Sequence, residues 1–280
     1  MLAILSAALV TTPLVAQAQT EHLVDNSGSE MIVTTWTGGE APWGSILLVP
    51  GWGGGPSDVL GIAHDLSQNG VEVFVLCPRG WHQSQGEASF TNALEDIGAA
   101  LRWVRERAVH DVTLVGHSFG GGMALAYAAR DPSVHRIVSV AGTDHGQLVR
   151  QYMSDPEFAA ILEPILKSTA APDGPIRFDV SATLQELKDG QGVLDLRENA
   201  ALLADRAILM FGGWEDVNTT VDDYLLPLYR ALREAGASDV TFLVYHTDHG
   251  FGNVRARLYR DLMEWLARRS TTAEEARGEK

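Results

Sequence analysis

Short runs of consecutive apolar residues alternate along the chain with segments whose apolar residues recur every three or four positions. The runs lie at residues 45–50, 71–76, 112–115 and 135–141. Apolar runs of this length are typical of strands that are buried on both faces of a parallel sheet. The segments between them have helical spacing, most clearly at residues 94–108. The pattern therefore predicts strands and helices in alternation, as in a parallel sheet that helices cover on both faces.

The two ends of the chain extend this pattern. Residues 21–37 contain two strand-like runs around a turn sequence, which predicts an antiparallel hairpin at the sheet edge. Strands are predicted again at residues 206–211 and 240–245, with a helix at 221–235 between them and a last helix from Val254. The fold class is therefore α/β, with a mostly parallel sheet of about eight strands.

The alternation breaks between residues 143 and 203. This segment contains several prolines and scattered amphipathic pieces, and it is too long for a simple connection. It predicts a small helical cap over the carboxyl edge of the sheet; an ordinary helix followed by a long loop is the alternative. The core then comprises residues 19–142 and 204–269, and residues 270–280, which are charged, predict a flexible tail.

The first 18 residues have the features of a targeting segment. They carry no charge, and an apolar run leads to Ala16-Gln17-Ala18, which is a typical cleavage pattern. We expect a secretory signal peptide, residues 1–18, and a periplasmic or secreted protein. No Lys or Arg precedes the run, so a cytoplasmic location is the alternative if the segment is not a functional signal. Pro13 interrupts the run, and no stable membrane insertion is expected.

Composition narrows the classes of partner. The chain has 280 residues and a formal net charge of −15, which argues against nucleic acid as a partner. Its one cysteine, Cys77, rules out a disulfide within the chain. We expect no cofactor and no metal, and the oligomeric state is left open.

The clearest chemical motif is Gly116-His117-Ser118-Phe119-Gly120, which follows an apolar strand and precedes a helix of small residues. Gly-x-Ser-x-Gly between a strand and a helix is the nucleophile elbow, which exposes the serine hydroxyl at the tip of a sheet. Ser118 is therefore the candidate nucleophile.

A serine nucleophile needs a base, and in an open α/β sheet the base comes from a loop at the carboxyl end of a strand. His249 follows the last predicted strand directly and is the preferred base. His246 and His145, which also follow strands, are alternatives. His117 is next to the serine and is expected to point away from it.

The base in turn needs a carboxylate that orients it. Asp216 lies in the loop after the strand at residues 206–211 and is the preferred acid. Its neighbour Glu215 and the more distant Asp144 are alternatives.

A glycine-rich loop, Gly51-Trp52-Gly53-Gly54-Gly55, follows the strand at residues 45–50. It lacks the Lys-Ser/Thr pair of a phosphate-binding P-loop. A loop of backbone N–H donors after a central strand is typical of an oxyanion hole.

The order Ser118, Asp216, His249 and the motifs GHSFGG, Gly-x-x-Asp and Asp-His-Gly-Phe resemble the α/β-hydrolase superfamily from about residue 45 to 267. The chain is most similar to its dienelactone-hydrolase-like and prolyl-oligopeptidase-like branches. The resemblance implies an α/β-hydrolase fold in which Ser118 attacks an acyl carbonyl, His249 takes its proton and Asp216 holds His249. It also implies an oxyanion hole formed by the N–H groups of Trp52 and Phe119.

Three aromatic residues in loops at this edge, Trp81, Trp214 and Phe251, are predicted to line the substrate pocket. Simple packing is the alternative for each. The predicted function is hydrolysis of small-molecule acyl esters by a serine hydrolase. An amide or peptide hydrolase with the same triad is an alternative, with Glu157, Glu163 or Asp179 of the cap as recognition groups. A non-catalytic binding protein on this fold is a further alternative.

Overall fold

The molecule is built on a single eight-stranded sheet, described by a computed structural model that covers residues 18–38 and 42–278. The strand order is β1-β2-β4-β3-β5-β6-β7-β8. The strands are β1 (Ala18–Asn26), β2 (Ser29–Thr37), β3 (Gly44–Val49), β4 (Val71–Cys77), β5 (Val112–His117), β6 (Arg136–Val140), β7 (Ala207–Gly213) and β8 (Val240–Tyr245). The predicted fold class and the predicted number of strands are confirmed.

The sheet is antiparallel only at its N-terminal edge. β1 and β2 form a hairpin, and β2 pairs with β4 in the antiparallel sense. From β4 through β3 to β8 every pairing is parallel. All six strands of the parallel part therefore end at the same edge, which places the loops after β3, β5, β7 and β8 next to one another.

Helices cover both faces of the sheet. They are α1 (Ala63–Gln68), α2 (Phe90–Arg105), α3 (Phe119–Ala128), α4 (His145–Ser154), α5 (Pro156–Thr169), α6 (Val180–Asp189), α7 (Gln191–Leu194), α8 (Leu226–Glu234) and α9 (Arg255–Gly278). The apolar stripe of α2 is buried against one face of the sheet, where it forms part of one core cluster. Apolar residues of α9, including Leu258, Leu262 and Trp265, are buried in a second cluster on the other face.

The segment between β6 and β7 contains α4 to α7 and a short 3-10 turn at Ala200–Leu203. Two ion pairs link the region of α4 to the residues after α7: Asp144 pairs with Arg197, and Arg150 pairs with Asp195. Both aspartates are fully buried. We refer to residues 143–203 as the cap, because its helices cover the site described below.

Two helices have different bounds from those predicted. A helix was predicted over residues 221–235, but α8 begins at Leu226, because Val221–Leu225 form a π-helical turn before it. A flexible tail was predicted over 270–280, but α9 continues to Gly278. The Ala, Glu and Arg residues of this segment favour helix, so the charged composition did not mark the helix end.

The predicted signal peptide lies outside the described residues, apart from Ala18 at the start of β1. None of the helices in the described part combines the length and the hydropathy that a membrane span requires.

Candidate active site

Ser118 lies at a sharp turn between β5 and α3. Its backbone has φ 55° and ψ −120°, a strained conformation for a residue with a side chain. A Cβ at Gly116 would overlap with the carbonyl of Gly120, and a Cβ at Gly120 would overlap with the carbonyl of Val49. The two glycines of the motif are therefore required by the close approach of three backbone segments.

Hydrogen bonds hold this strained turn in place. The Ser118 N–H donates to the carbonyl of Val140 at 2.8 Å, and the Ser118 carbonyl accepts from the N–H groups of Gly122 at 3.1 Å and Thr143 at 3.0 Å. The turn is thus fixed both by its own helix and by the neighbouring strand β6. Strain of this kind persists only where the surroundings determine the geometry, and such positions cluster at functional sites.

Asp216 and His249 meet at the same edge of the sheet. Asp216 lies three residues after β7 and His249 four residues after β8, and the two strands are parallel neighbours. The Nδ1–H of His249 donates to Oδ2 of Asp216 at 2.7 Å. The carboxylate is fully buried, and its other oxygen accepts from the N–H groups of Asn218 at 2.8 Å and Thr219 at 3.0 Å. With Nδ1 donating, a neutral His249 has Nε2 free to accept a proton.

The alternative bases and acids occupy other positions. His246 is exposed and pairs with Glu215 at 3.2 Å on the surface. Asp144 is buried in the cap, where it accepts from the N–H groups of Gly146 and Gln147 and pairs with Arg197. His145 is buried among aromatic rings, and its Nδ1 has no hydrogen-bond partner within the described residues.

His117 has a structural contact that the sequence did not indicate. Its Nε2–H donates to the backbone carbonyl of His249 at 3.0 Å, and the two imidazole rings are 4.8 Å apart. Burial, and to a lesser extent the nearby His249, lowers the pKa of His117 to about 4, so its ring is neutral at pH 7. Arg255, the first residue of α9, donates to the carbonyl of Gly250 in the same loop at 2.7 Å. The loop that carries His249 is therefore held by two side chains.

The glycine-rich loop after β3 lies against the elbow. A Cβ at Gly51 would be 3.2 Å from the Cβ of Ser118 and 3.0 Å from Nδ1 of His117. This brings the backbone of Trp52, the next residue, close to Ser118. Phe119 is the first residue of α3, where the N–H has no acceptor within the helix. Within the described residues, the Trp52 N–H likewise has no acceptor.

The side chain of Trp52 connects this loop to the cap. Its Nε1–H donates to Oγ1 of Thr169, the last residue of α5, at 3.0 Å. Its ring also packs edge-on against Phe178 of the cap and against Phe119. The same residue therefore contributes backbone next to Ser118 and a side chain that contacts the cap.

A cavity of about 270 Å³ opens beside Ser118, between the sheet edge and the cap. Most of its walls are apolar side chains, eight of them from α4, α5 and α6, and no Asp, Glu, Lys or Arg of the described residues lines it. The lining side chains are Trp52, Phe90, Ser118, Phe119, Thr143, His145, Leu148, Phe158, Ile161, Leu162, Ile165, Leu166, Thr183, Leu184, Leu187, Val217, Asn218 and Thr219.

The three aromatic residues predicted to line the pocket are not among these. Trp81 is buried behind Trp52 and Phe119 and packs against both rings. Phe251 is fully buried in the core cluster on the opposite side of the sheet. Trp214 is 52% exposed at the surface. Loop position placed these residues at the correct edge, but side-chain direction depends on packing that the sequence does not reveal.

Most of the cavity is formed by cap helices, for which the sequence analysis suggested polar residues and no apolar lining residues. Their apolar positions recur with helical spacing, as in Phe158, Ile161, Leu162 and Ile165 of α5, and this signal could have indicated a lining face. Among the described residues, no group of three or more His, Cys, Asp or Glu side chains is placed to hold a metal ion.

Comparison with known proteins agrees with this architecture. Residues 44–168 match a family model described as alpha/beta hydrolase fold. A monoacylglycerol lipase from Mycolicibacterium smegmatis is 27% identical over 135 residues, which are 46% of this chain and 48% of the lipase. The matched parts thus span about half the length of that relative.

Solved structures resemble the whole described molecule at low identity. An acylaminoacyl peptidase from Pyrococcus horikoshii has a TM-score of 0.66 at 16% identity and covers 91% of this chain, which spans only 42% of the peptidase. An esterase from Pyrococcus furiosus has a TM-score of 0.63 at 12% identity, and the match covers 90% of this chain and 90% of the esterase. A Butyrivibrio proteoclasticus protein bound to ferulic acid has a TM-score of 0.64 at 13% identity over 88% of this chain and 98% of that one. The chain has the α/β-hydrolase fold.

Proposed function

We propose that this protein is a serine hydrolase that cleaves carboxylic esters of small uncharged acyl groups through Ser118, His249 and Asp216. The observation that carries the proposal is the 2.7 Å hydrogen bond from His249 to the buried Asp216 at the edge where Ser118 occupies its strained turn. A buried carboxylate that accepts from Nδ1 leaves Nε2 as the basic atom, which a serine nucleophile requires.

In the proposed reaction, Ser118 Oγ attacks the ester carbonyl while His249 Nε2 takes the hydroxyl proton. The N–H groups of Phe119 and Trp52 bind the oxyanion, and Asp216 stabilises the imidazolium. Collapse of the tetrahedral intermediate breaks the bond to the alcohol, which leaves with the proton from His249. Water then attacks the acyl-enzyme, with His249 again as base, and releases the acid and Ser118.

The cavity supports an apolar acyl or alcohol group rather than a charged one. None of the cavity's described lining residues is Asp, Glu, Lys or Arg, and burial of an unpaired substrate charge there would be costly. Its volume of about 270 Å³ is close to the lower end of small-molecule pockets, about 300–1,000 Å³.

The arrangement of the cap favours esters over aminoacyl amides or peptides. Glu163 bonds to the Tyr152 hydroxyl and to Lys167, and Asp179 accepts from the N–H of Ala182 at the start of α6. Glu157 is exposed in the first turn of α5. None of these three carboxylates lines the cavity, so none is placed to receive the ammonium group of a peptide.

Hydrolysis of a p-nitrophenyl ester, with Ser118→Ala beside a matched control, tests the proposal. Ser154→Ala is the control, because Ser154 is exposed on the cap and its hydroxyl bonds only to the Arg150 carbonyl among the described residues. We expect Ser154→Ala to keep full activity and fluorophosphonate labelling, and Ser118→Ala to lose both. Activity retained in Ser118→Ala would assign the nucleophile elsewhere.

We also propose that the protein is exported to the periplasm or secreted, on the basis of the apolar segment that ends in Ala16-Gln17-Ala18. N-terminal sequencing of the protein recovered from each cell fraction tests this. We expect a mature terminus near Gln19 in the exported fraction, whereas an intact Met1 in the cytoplasm would contradict it.

A further inference from the structure

One residue of the cavity wall, His145, has a buried ring nitrogen whose hydrogen-bonding capacity is unused among the described residues. Thr143 and Thr219, which also line the cavity, bond to each other through their hydroxyls at 3.3 Å. His145 is 2% exposed, and its buried Nδ1 has no hydrogen-bond partner within the described residues. A neutral imidazole has one donor and one acceptor, and buried groups of this kind are nearly always paired.

The ring of His145 is held firmly at the cavity wall. His145 is the first residue of α4, and the preceding Asp144 caps that helix through the N–H groups of Gly146 and Gln147. The ring packs edge-on against Phe90 and Phe119, with centroid distances of 5.1 Å and 5.3 Å. An apolar side chain would fill this aromatic site without an unpaired nitrogen, so packing alone does not account for a histidine.

The charge state of His145 restricts what it can bind. Burial lowers the pKa of His145 to about 3, so the imidazole is neutral near pH 7. A carboxylate ligand would be left without a cation, because the described lining contains no Arg or Lys. A hydroxyl suits a neutral imidazole in either tautomer, since it both donates and accepts.

The position of His145 relates it to the reacting group. Phe119, whose ring it contacts, is the residue after Ser118, and both Ser118 and His145 line the cavity. We propose that His145 is a specificity-determining residue that hydrogen-bonds to a hydroxyl on the acyl chain close to the scissile ester, so that the enzyme prefers 3-hydroxyacyl esters to unsubstituted ones. The inference rests on the proposed ester hydrolysis at Ser118.

The test compares p-nitrophenyl 3-hydroxyhexanoate with the 3-methylhexanoate and hexanoate esters. The 3-methylhexanoate ester keeps the branch at carbon 3 but lacks the polar hydroxyl. For the wild-type enzyme we expect kcat/KM for the 3-hydroxyhexanoate ester to exceed that for the 3-methylhexanoate ester by about tenfold or more. This is the order expected when a buried hydrogen-bonding group is otherwise left unpaired. Equal values for the wild-type enzyme would overturn the inference, whatever the behaviour of any variant.

Two variants assign the preference to the ring. His145→Phe keeps the aromatic packing and removes both nitrogens, and we expect it to hydrolyse the 3-hydroxy and 3-methyl esters with equal kcat/KM. His145→Gln keeps a donor and an acceptor and should retain part of the preference. An equal loss on all three esters in both variants would show a structural role only. Hydrolysis that persists in Ser118→Ala would refute the proposed function instead, so the two failures are distinguishable.

Discussion

The carboxyl edge of the sheet and the cap form opposite sides of one cavity by different physical means. At the sheet edge, close backbone contacts and buried hydrogen bonds fix single atoms: the strained turn at Ser118 and the Asp216–His249 pair are examples. In the cap, amphipathic helices contribute many interchangeable apolar contacts, such as those of Ile161 and Leu184. Under the proposed function, the edge would set which reaction occurs and the cap would set which substrate reaches it.

The largest expected effect comes from the edge. Asp216→Asn keeps an oxygen for the N–H groups of Asn218 and Thr219 but removes the negative charge beside His249. We expect kcat to fall by about 10⁴-fold on every ester, as in other Ser-His-Asp sites. Steady-state kinetics on a series of chain lengths measures this, with Glu215→Gln as the neighbouring control. A loss of activity confined to esters with long acyl chains would assign Asp216 to substrate selection. The sheet edge and the cap would then not have separate roles.

Acid pH should destabilise both regions through one histidine each. The pKa values of His117 and His145 are lowered on folding to about 4 and about 3, so between those values and pH 6.5 the unfolded chain binds more protons than the native one. Stability therefore falls as the pH drops through this window, by roughly 3 kcal/mol at pH 4 for each group.

Urea unfolding at pH 7 and pH 4 checks this expectation. The variants His117→Gln and His145→Gln should each show a smaller decrease in unfolding free energy than the wild type. Acidic groups contribute equally to wild type and variant, so the difference isolates each histidine. An unchanged pH dependence in either variant would show that the corresponding ring is not buried in its neutral form.

The cap should respond through chain-length preference. Leu184→Trp adds bulk to the cavity wall, and we expect kcat/KM to fall by about tenfold for a hexanoyl or longer ester while acetyl ester hydrolysis changes little. Leu202→Trp is the control, because Leu202 is 54% exposed and does not line the cavity. A uniform loss across chain lengths would mean that the cap affects the reacting groups themselves.

The smallest expected effect contrasts backbone strain in the two regions. Glycine tolerates the positive φ of Ser118, so Ser118→Gly should be more stable than Ser118→Ala by about 1 kcal/mol. In the exposed middle of α5, Ala160→Gly should be less stable than wild type by about 1 kcal/mol. Thermal and urea unfolding of the wild type and the three variants measures both stability differences. A destabilising glycine at position 118 would argue against strain at the turn.

The elbow was predictable from sequence because its geometry is local: a strand, five residues and a helix determine it. The fold followed from apolar runs, and Asp216 and His249 followed from their places after strands. His117 was not predictable as a contact of His249, since 132 residues separate the two along the chain. Trp81 and Phe251 were expected in the pocket but pack into the core, because the direction of a loop side chain depends on distant neighbours.

The cavity could not be predicted from the sequence, for a related reason. Its apolar wall combines α5 and α6 with Phe90 of α2 and Phe119 of α3, which lie far apart in the chain. Helical periodicity predicts that a helix has an apolar face but not what that face covers. The unpaired Nδ1 of His145 became visible only when its surroundings were known.

The central claim is that Ser118 forms a covalent acyl-enzyme, and the most direct measurement is the mass of the enzyme quenched by acid during turnover of p-nitrophenyl hexanoate. We predict a species heavier by one hexanoyl group, with the added mass on the peptide that contains Ser118 and absent from Ser118→Ala. An active enzyme that carries no acyl group at any time point, or carries it on another residue, would contradict the account.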